Sequence, residues 1–415
     1  MKAADEIYGL PPTETARKLR EIFYCAHYIE DHMEIIYALG LPDFVCGPTA
    51  PPSERNLIGL IKKVGIDVGK QVLKWRFSAV RIFEILGGKP SHPVTALPGG
   101  WSKRLTEEER QEILKYADDC IELGKFTLKV FRDLILSNEQ YVELMKGDIY
   151  KVVVNYLGTV DENGKVAYYD GTQRVVDING NEVCTFRGKD YLDHIAERIL
   201  EWSYVKAPYL KKFGWKGFVD GEGTSLYSVG PLARFNVGNG YDTPLAQEAY
   251  EEMVEFFGGK PIHNTLAYHW ARAIEMLHCA EKIKELASDE SITSPDVRQP
   301  INGVKKEEGV GIVEAARGTL IHHYKVDEKG IVRDVNLIVA TTHNKGPINV
   351  AVRRAAENFI KNGKVDEGIL NMVEIAYRPY DLCLACASHA LPGRLPLEVE
   401  IRNPEGEVLA KLRNY

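Results

Sequence analysis

Near its C-terminal end the chain reads Asp381-Leu382-Cys383-Leu384-Ala385-Cys386-Ala387-Ser388-His389. Two thiols and an imidazole stand three residues apart, so a short stretch of chain can present two sulfurs and a nitrogen to one point. Thiolates select soft metals, which makes nickel, zinc and iron the candidates. A bare C-x2-C also fits half of a tetrahedral zinc site, which would need a further ligand beside Cys383, Cys386 and His389. The bland reading of the same residues is two incidental cysteines.

The other potential ligands are weaker. Cys25, Cys46, Cys120, Cys184 and Cys279 are scattered singly, and the default for a lone cysteine is a small core residue. Seven cysteines in a chain of 415 residues do not suggest a disulfide framework, so a reducing compartment is expected. His27 and His32 are five apart on a predicted helix, a poor spacing for chelation, and a core histidine is the default for His32. His322 and His323 are neighbours on a predicted strand and would point to opposite faces. Arg317 on that strand reads, from its spacing alone, as a surface arginine. Glycines between Gly221 and Gly230 lack the strand–loop–helix pattern of a dinucleotide fold.

Long helices must position these residues. Thr13 is a capping residue for a first helix running through Leu19, Ile22, Ala26 and Ile29 to about Leu39, with Pro42 ending it. Further helical stretches run over Ser53 to Leu86, Thr106 to Lys146 and Pro261 to Ala287, and a shorter one over Asp366 to Ala376. Four long helices predict a bundle as the core. Short strands are predicted at Val152 to Tyr156, Lys165 to Tyr169 and Glu182 to Phe186. A hairpin of Gly311 to Tyr324 with Val332 to Ala340 would turn at Glu328-Lys329-Gly330, and Leu397 to Ile401 with Val408 to Leu412 would turn at Pro404-Glu405-Gly406.

Composition is that of an ordinary globular protein, 45% hydrophobic and 27% charged. A formal net charge of −7 argues against a nucleic-acid partner. No run of eighteen apolar residues predicts a membrane span, and Met1 to Leu10 does not read as a secretory signal.

Cys383-Leu384-Ala385-Cys386 and His389, following Tyr377-Arg378-Pro379-Tyr380-Asp381, resemble the D-P-C-x-x-C-x-x-H segment of nickel–iron hydrogenase large subunits. Other segments resemble the same family in the same order, above all its cytoplasmic F420-reducing and non-reducing branch. They are Pro42-Asp43-Phe44-Val45, His92-Pro93-Val94-Thr95-Ala96-Leu97-Pro98-Gly99-Gly100 and Val229-Gly230-Pro231-Leu232-Ala233-Arg234. Then come Glu314-Ala315-Ala316-Arg317-Gly318-Thr319-Leu320-Ile321-His322-His323-Tyr324 and Val339-Ala340-Thr341-Thr342-His343-Asn344.

The resemblance assigns roles. Cys383 would be a terminal nickel ligand and Cys386 would bridge nickel to an iron that carries cyanide and carbon monoxide. His389 and the carbonyl oxygen of Leu337 would bind a magnesium or iron ion close by. Arg317 would lie over the open nickel–iron edge, and Thr341 would donate a hydrogen bond to a cyanide, an anion that needs donors in a dry pocket. The fold implied is mixed α and β, mainly helical, the nickel–iron hydrogenase large-subunit fold with a long-helix bundle and small peripheral sheets. The activity implied is reversible heterolytic cleavage of H2, with electrons passed to an iron–sulfur small subunit. Residues 1–389 would form the hydrogenase domain and residues 390–415 a C-terminal extension removed by a maturation protease. F420-linked or heterodisulfide-reductase-linked subunits are further partners implied.

Two departures stand beside the resemblance. The family's R-x-C-G-x-C segment does not occur in the sequence, and the alternative expectation is a truncated or degenerate, non-catalytic subunit with a structural or assembly role. Leu382 and Ala316 stand where the family usually has proline, which frees the backbone at both places. A small partner subunit would cover apolar surface left by Tyr24, Tyr28, Tyr37 and the sheet edges.

Overall fold

The structure, a computed structural model, describes residues 1–382 and 398–413. Cys383, Cys386, His389 and the predicted strand residue Leu397 therefore lie outside the described residues. The chain opens with α1 (Lys2–Tyr8), α2 (Glu14–Glu34), α3 (Leu41–Val45), α4 (Leu57–Val64) and α5 (Ile66–Gly87). A short pair, β1 (Ala96–Leu97) and β2 (Gly100–Trp101), precedes α6 (Glu107–Phe131) and α7 (Glu139–Lys146). The middle holds β3 (Asn155–Val160), β4 (Thr172–Val176), β5 (Glu182–Phe186), α8 (Tyr191–His194), β6 (Ile195–Leu200), β7 (Ser203–Leu210) and β8 (Tyr227–Ser228). Then follow α9 (Pro231–Val237), α10 (Pro244–Phe257), α11 (Ala267–Ser288), β9 (Glu308–Ala315), β10 (Gly318–Val326) and β11 (Val332–Ile338). Last come α12 (Ala340–His343), α13 (Lys345–Phe359), α14 (Glu367–Tyr377), β12 (Glu398–Arg402) and β13 (Val408–Arg413).

The expected bundle is present: α2, α5, α6 and α11 pack in a ring around one apolar core that includes Leu19, Ile22, Ile82, Ile113, Leu123 and Ile274. Each such fully buried aliphatic side chain contributes about 1.5–3 kcal/mol. Thr13 caps α2 by accepting a hydrogen bond from the Ala16 amide. Thr106 and Glu109 form a reciprocal capping box at the start of α6 (3.1 and 3.2 Å). Helix α11 is buried on every side from Ala267 to Ala280, so its polar residues must find partners inside the protein.

The differences from the predicted elements have local causes. Helical structure passes Pro42, because Pro42 sits in the first turn of α3, where its missing N–H costs nothing. The stretch from Ser53 to Leu86 is two helices, broken at Gly65, whose φ of 94° leaves the helical region. Lys165 to Tyr169 makes only an isolated bridge from Val166 to Val160. Its Tyr168 and Tyr169 turn inward instead, and the strand forms beyond Gly171 at Thr172–Val176. Tyr28 and Tyr37 are buried core residues and leave no apolar patch for a partner. Exposed apolar residues lie on α4 and α5 (Ile58, Ile66, Leu73, Phe77) and on the β6–β7 ribbon (Ile199, Trp202, Tyr204).

The sheets are small and peripheral. One has the order β5-β4-β3-β8, antiparallel except where β3 meets β8, and another has the order β11-β10-β9. The predicted single strand from Gly311 to Tyr324 is itself a hairpin. Ala315 pairs with Gly318, so Ala316 and Arg317 form a two-residue turn. The turn near Lys329 and the C-terminal hairpin of β12 with β13 match expectation. Among the described residues, no helix is long and apolar enough to cross a membrane.

Candidate active site

Arg317 stands at the tip of the β9–β10 hairpin, not along a strand. Gly318 has a φ of 138°, and an added Cβ there would lie 2.4 Å from Val229 Cγ2 and 2.8 Å from the Gly230 amide nitrogen. Only glycine lets the turn press this closely on the start of α9. The Arg317 side chain is held between two carboxylates. Its Nη2 lies 3.1 Å from Asp31 Oδ1, and its Nε lies 3.0 Å from Asp381 Oδ2 while donating to the Asp381 carbonyl at 3.1 Å. Asp31 comes from α2. Asp381 ends the turn that follows α14, two residues before Cys383.

The segment that leads to Cys383 is pinned from several sides. Arg272 on α11 donates to the Pro379 carbonyl (2.8 Å). The Tyr380 ring packs on Tyr268 with centroids 5.0 Å apart. Arg378 pairs with buried Asp43 at 3.1 Å, which joins the Pro42-Asp43-Phe44-Val45 segment to the C-terminal one. Asp381 itself has a φ of 62°, one of three positive values at non-glycine residues among those described. Such a conformation persists only when the surroundings over-determine it.

The electrostatics follow from burial. Burial, then the neighbouring Asp31 carboxylate, push the Asp381 carboxyl up to about 7. Burial also opposes ionisation of Asp31, but Arg317, His32 and His27 hold its carboxyl below the usual range. The pair behaves as one site with two unequal members. Arg317 is held above its ordinary value: burial works against its charge, and Asp31 and Asp381 outweigh it. The Asp381 carboxylate oxygens and Asp31 Oδ2 are buried without a hydrogen bond among the described residues. A cavity of about 710 Å³ reaches this cluster. Arg317, Asp381 and Leu382 lie on its wall, and much of the remainder is apolar, from Leu41, Leu60 and Val72 among others.

Behind the turn lies a second charged layer. Arg234 on α9 contacts Glu275 on α11 through Nε (2.6 Å) and Nη2 (2.7 Å), and Glu314 on β9 through Nη1 (3.0 Å). His32 contacts Glu275 at 2.8 Å. Burial alone would raise Glu275, yet Arg234 and His32 bring it down to about 2. Burial takes His32 down to about 4, against the pull of Glu275. His32 is therefore neutral near pH 7, with its Nε2–H donated to Glu275 and Nδ1 without a partner among the described residues.

Among the described residues, no three His, Cys, Asp or Glu side chains converge to hold a metal. Cys25, Cys120 and Cys279 are buried core residues, as expected for lone cysteines. Leu337 lies on β11 opposite His322, and Thr341 lies in the short helix α12. Neither shares a hydrogen bond or ion pair with Arg317 among the described residues. His322 and His323 do face apart: His323 is buried on Tyr191 and Glu308, and His322 contacts Tyr324. Asp31, Asp381, Glu275 and Arg234 were missed as site residues. Tyr28, Asp31 and His32 share one helical face, at i, i+3 and i+4, and that spacing was the available signal.

The residues present suit a soft-metal centre. Two thiols follow directly on a buried cluster whose unsatisfied oxygens and fixed guanidinium border a largely apolar cavity.

Comparison with known proteins gives the same direction. Residues 140–389 match the family described as nickel-dependent hydrogenase. The chain is 63% identical to an iron-sulfur subunit of the F420-non-reducing hydrogenase of Archaeoglobus profundus, over 100% of this chain and 85% of the relative. It is 37% identical to the beta subunit of the NAD-reducing hydrogenase HoxS of Cupriavidus necator, over 97% of this chain and 81% of the relative. A crystal structure of an NAD+-reducing [NiFe]-hydrogenase in the H2-reduced state superposes with a TM-score of 0.84 at 34% identity. That match covers 94% of this chain and 83% of the other.

Proposed function

This chain belongs to the nickel-dependent hydrogenase family as a catalytic large subunit, and on that premise we propose that Arg317 is the residue that acts on dihydrogen beside the metal. The family implies nickel and iron at the site. Cys383 would hold nickel and Cys386 would bridge nickel and iron. Thr341 would donate to a cyanide on an iron that would also carry carbon monoxide. His389 and the Leu337 carbonyl would hold a magnesium or iron ion. When bound, the metal pair supplies the centre at which H2 is split heterolytically.

The chain's own contribution is a fixed positive charge. Arg317 is carried on a turn, oriented by Asp31 and Asp381, and its Nη1 has no partner among the described residues. A guanidinium stays protonated throughout, so it polarises and positions without itself taking a proton. The wall of the adjoining cavity is largely apolar, so it offers few groups that compete for that charge. The observation that carries the reading is this one guanidinium, locked between two carboxylates, one of them two residues from the thiol pair.

Relatives that are components of multi-subunit hydrogenases imply a small partner subunit. An iron–sulfur small subunit would receive the electrons, with F420-linked or heterodisulfide-reductase-linked subunits beyond it, in the cytoplasm. The hairpin of β12 and β13 would belong to a C-terminal extension, residues 390–415, that a maturation protease removes. Residues 1–389 would then be the mature domain.

Arg317→Lys tests the reading in the nickel-loaded enzyme with its small subunit. Lysine keeps the charge but loses the planar fork. Turnover of H2 is expected to fall by about 10²-fold or more, with nickel per chain unchanged by elemental analysis. Unchanged turnover would overturn it.

A further inference from the structure

We infer that Arg234 is the positioning residue for Arg317: it grips the backbone of the turn so that the Arg317 guanidinium keeps one direction. The inference rests on the reading of Arg317 given above. A guanidinium has five N–H donors in a rigid fork and no acceptor. Arg234 is fully buried, and all five of its donors are used. Three go to carboxylates: Nε to Glu275 Oε1, Nη2 to Glu275 Oε2 and Nη1 to Glu314 Oε2. The other two go to consecutive carbonyls of the turn itself, Nη1 to Ala315 (3.0 Å) and Nη2 to Ala316 (2.9 Å).

Those two carbonyls immediately precede Arg317. Ala316 has no ring to fix its φ, so the direction of the turn depends on donors from outside. A second donor reaches the same place. The Tyr28 hydroxyl contacts the carbonyls of Glu314 (2.8 Å) and Ala315 (3.0 Å). Tyr28 and Asp31 are three apart on α2. One helix face therefore fixes both the backbone of the turn and the guanidinium that the turn carries.

The carboxylates keep Arg234 in place. Glu275 receives two of its N–H groups and is oriented by His32, the neighbour of Asp31 in sequence. Glu314 receives one N–H on Oε2, while its Oε1 accepts from Thr159 (2.9 Å) and Thr319 (2.8 Å). The guanidinium is thus tied to α11 and β9 directly, and through Glu314 to β3 and β10. No freedom remains for it to follow a shifted turn.

The experiment uses Arg234→Lys in the nickel-loaded complex, alone and combined with Arg317→Lys. Lysine retains the charge but offers three donors and no fork, so the turn carbonyls lose theirs. Turnover is expected to fall roughly 10- to 100-fold, with KM for dihydrogen changed less than about twofold. Amide exchange over residues 314–319 is expected to quicken, with peptides of α6 unchanged. In the Arg317→Lys background, Arg234→Lys is expected to cost less than about twofold further. A full additional loss in that background, or unaltered exchange at the turn, overturns the inference. If Arg234→Lys does not assemble, Tyr28→Phe removes the other donor that reaches the Ala315 carbonyl. It is expected to lower turnover roughly threefold, and only when Arg317 is present. An equal loss in both backgrounds overturns the inference by that route. If Arg317→Lys alone leaves turnover unchanged, the proposed function fails, and exchange at residues 314–319 still decides the role of Arg234.

Discussion

The two sides of the Arg317 turn are built oppositely. On the inner side, Arg234 uses every donor, and Glu275, Glu314, Thr159, Thr319 and Tyr28 are joined in one hydrogen-bonded set. On the outer side, the Asp381 carboxylate oxygens and one Asp31 oxygen lack hydrogen bonds among the described residues, although Arg317 is ion-paired to Asp381 Oδ2, and a largely apolar cavity begins. Saturated polar groups give position, because any displacement strands a buried donor or acceptor. Unsaturated groups at the edge of a largely apolar cavity give capacity, because they still have a partner to gain. The site needs both, and the hairpin turn places one on each face.

On this contrast, the largest effects come from the inner side. Glu275→Gln replaces a carboxylate that is fully buried between Arg234 and His32. It leaves the Arg234 charge half-compensated and offers an amide N–H where His32 also donates. Removing one partner of a buried pair costs about 3–5 kcal/mol. The metal-free chain is expected to lose that much in denaturant unfolding, with a fall of several degrees in its thermal midpoint. A loss below about 1 kcal/mol would break the contrast at its stronger end.

The fold was legible where a residue acts locally. Thr13 and the pattern of Leu19, Ile22, Ala26 and Ile29 mark α2 because capping and a 3.6-residue period depend on neighbours in sequence. Glu182–Phe186 and the turn near Lys329 were legible for the same reason. The turn at Ala316-Arg317 was not. Its cause is contact with Val229 and Gly230, far away in sequence, and Gly318 alone is a weak signal amid β-prone residues. The helices Pro244–Phe257 and Lys345–Phe359 went unread. In the site, Arg317 was legible through the family resemblance, while its partners Asp31 and Asp381 lie 350 residues apart. The difference 381 − 31 shows why spacing alone could not join them. Cys383, Cys386 and His389 lie outside the described residues, and their roles rest on the resemblance.

An intermediate effect sharpens the contrast through pH. His32 has an ordinary value of 6.5 and is brought to about 4 by burial. His278 is likewise brought to about 4 by burial, against Asp242. In both cases the unfolded chain binds a proton more readily than the folded one between these values. Stability therefore rises with pH through that window, and it is lost as pH falls from about 6.5 to about 4. Glu275, lowered to about 2, adds a loss in the same direction as pH falls through and below its ordinary 4.5. The contribution of His32 and His278 to the thermal midpoint of the metal-free chain is expected to be lost below pH 6.5, opposed in part by Asp381, whose raised value favours the folded state as pH falls through about 7. His32→Gln is expected to flatten part of that slope, and an unchanged slope would count against a neutral His32.

The smallest effect belongs to the outer side. Leu73 lies on α5, lines the cavity and is 54% exposed. Its burial on folding is partial, so little apolar transfer is at stake, and no polar group depends on it. Leu73→Gln also exchanges two residues of similar helix propensity, which leaves α5 itself unaffected. Surface substitutions of this kind stay within about 0.5 kcal/mol. A change of hydrogen-bonding capacity, damaging at Glu275, is thus expected to be silent here in denaturant unfolding. A loss at Leu73 approaching that at Glu275 would mean that the outer wall is packed as tightly as the inner layer. The division into a side that positions and a side that receives would then fail.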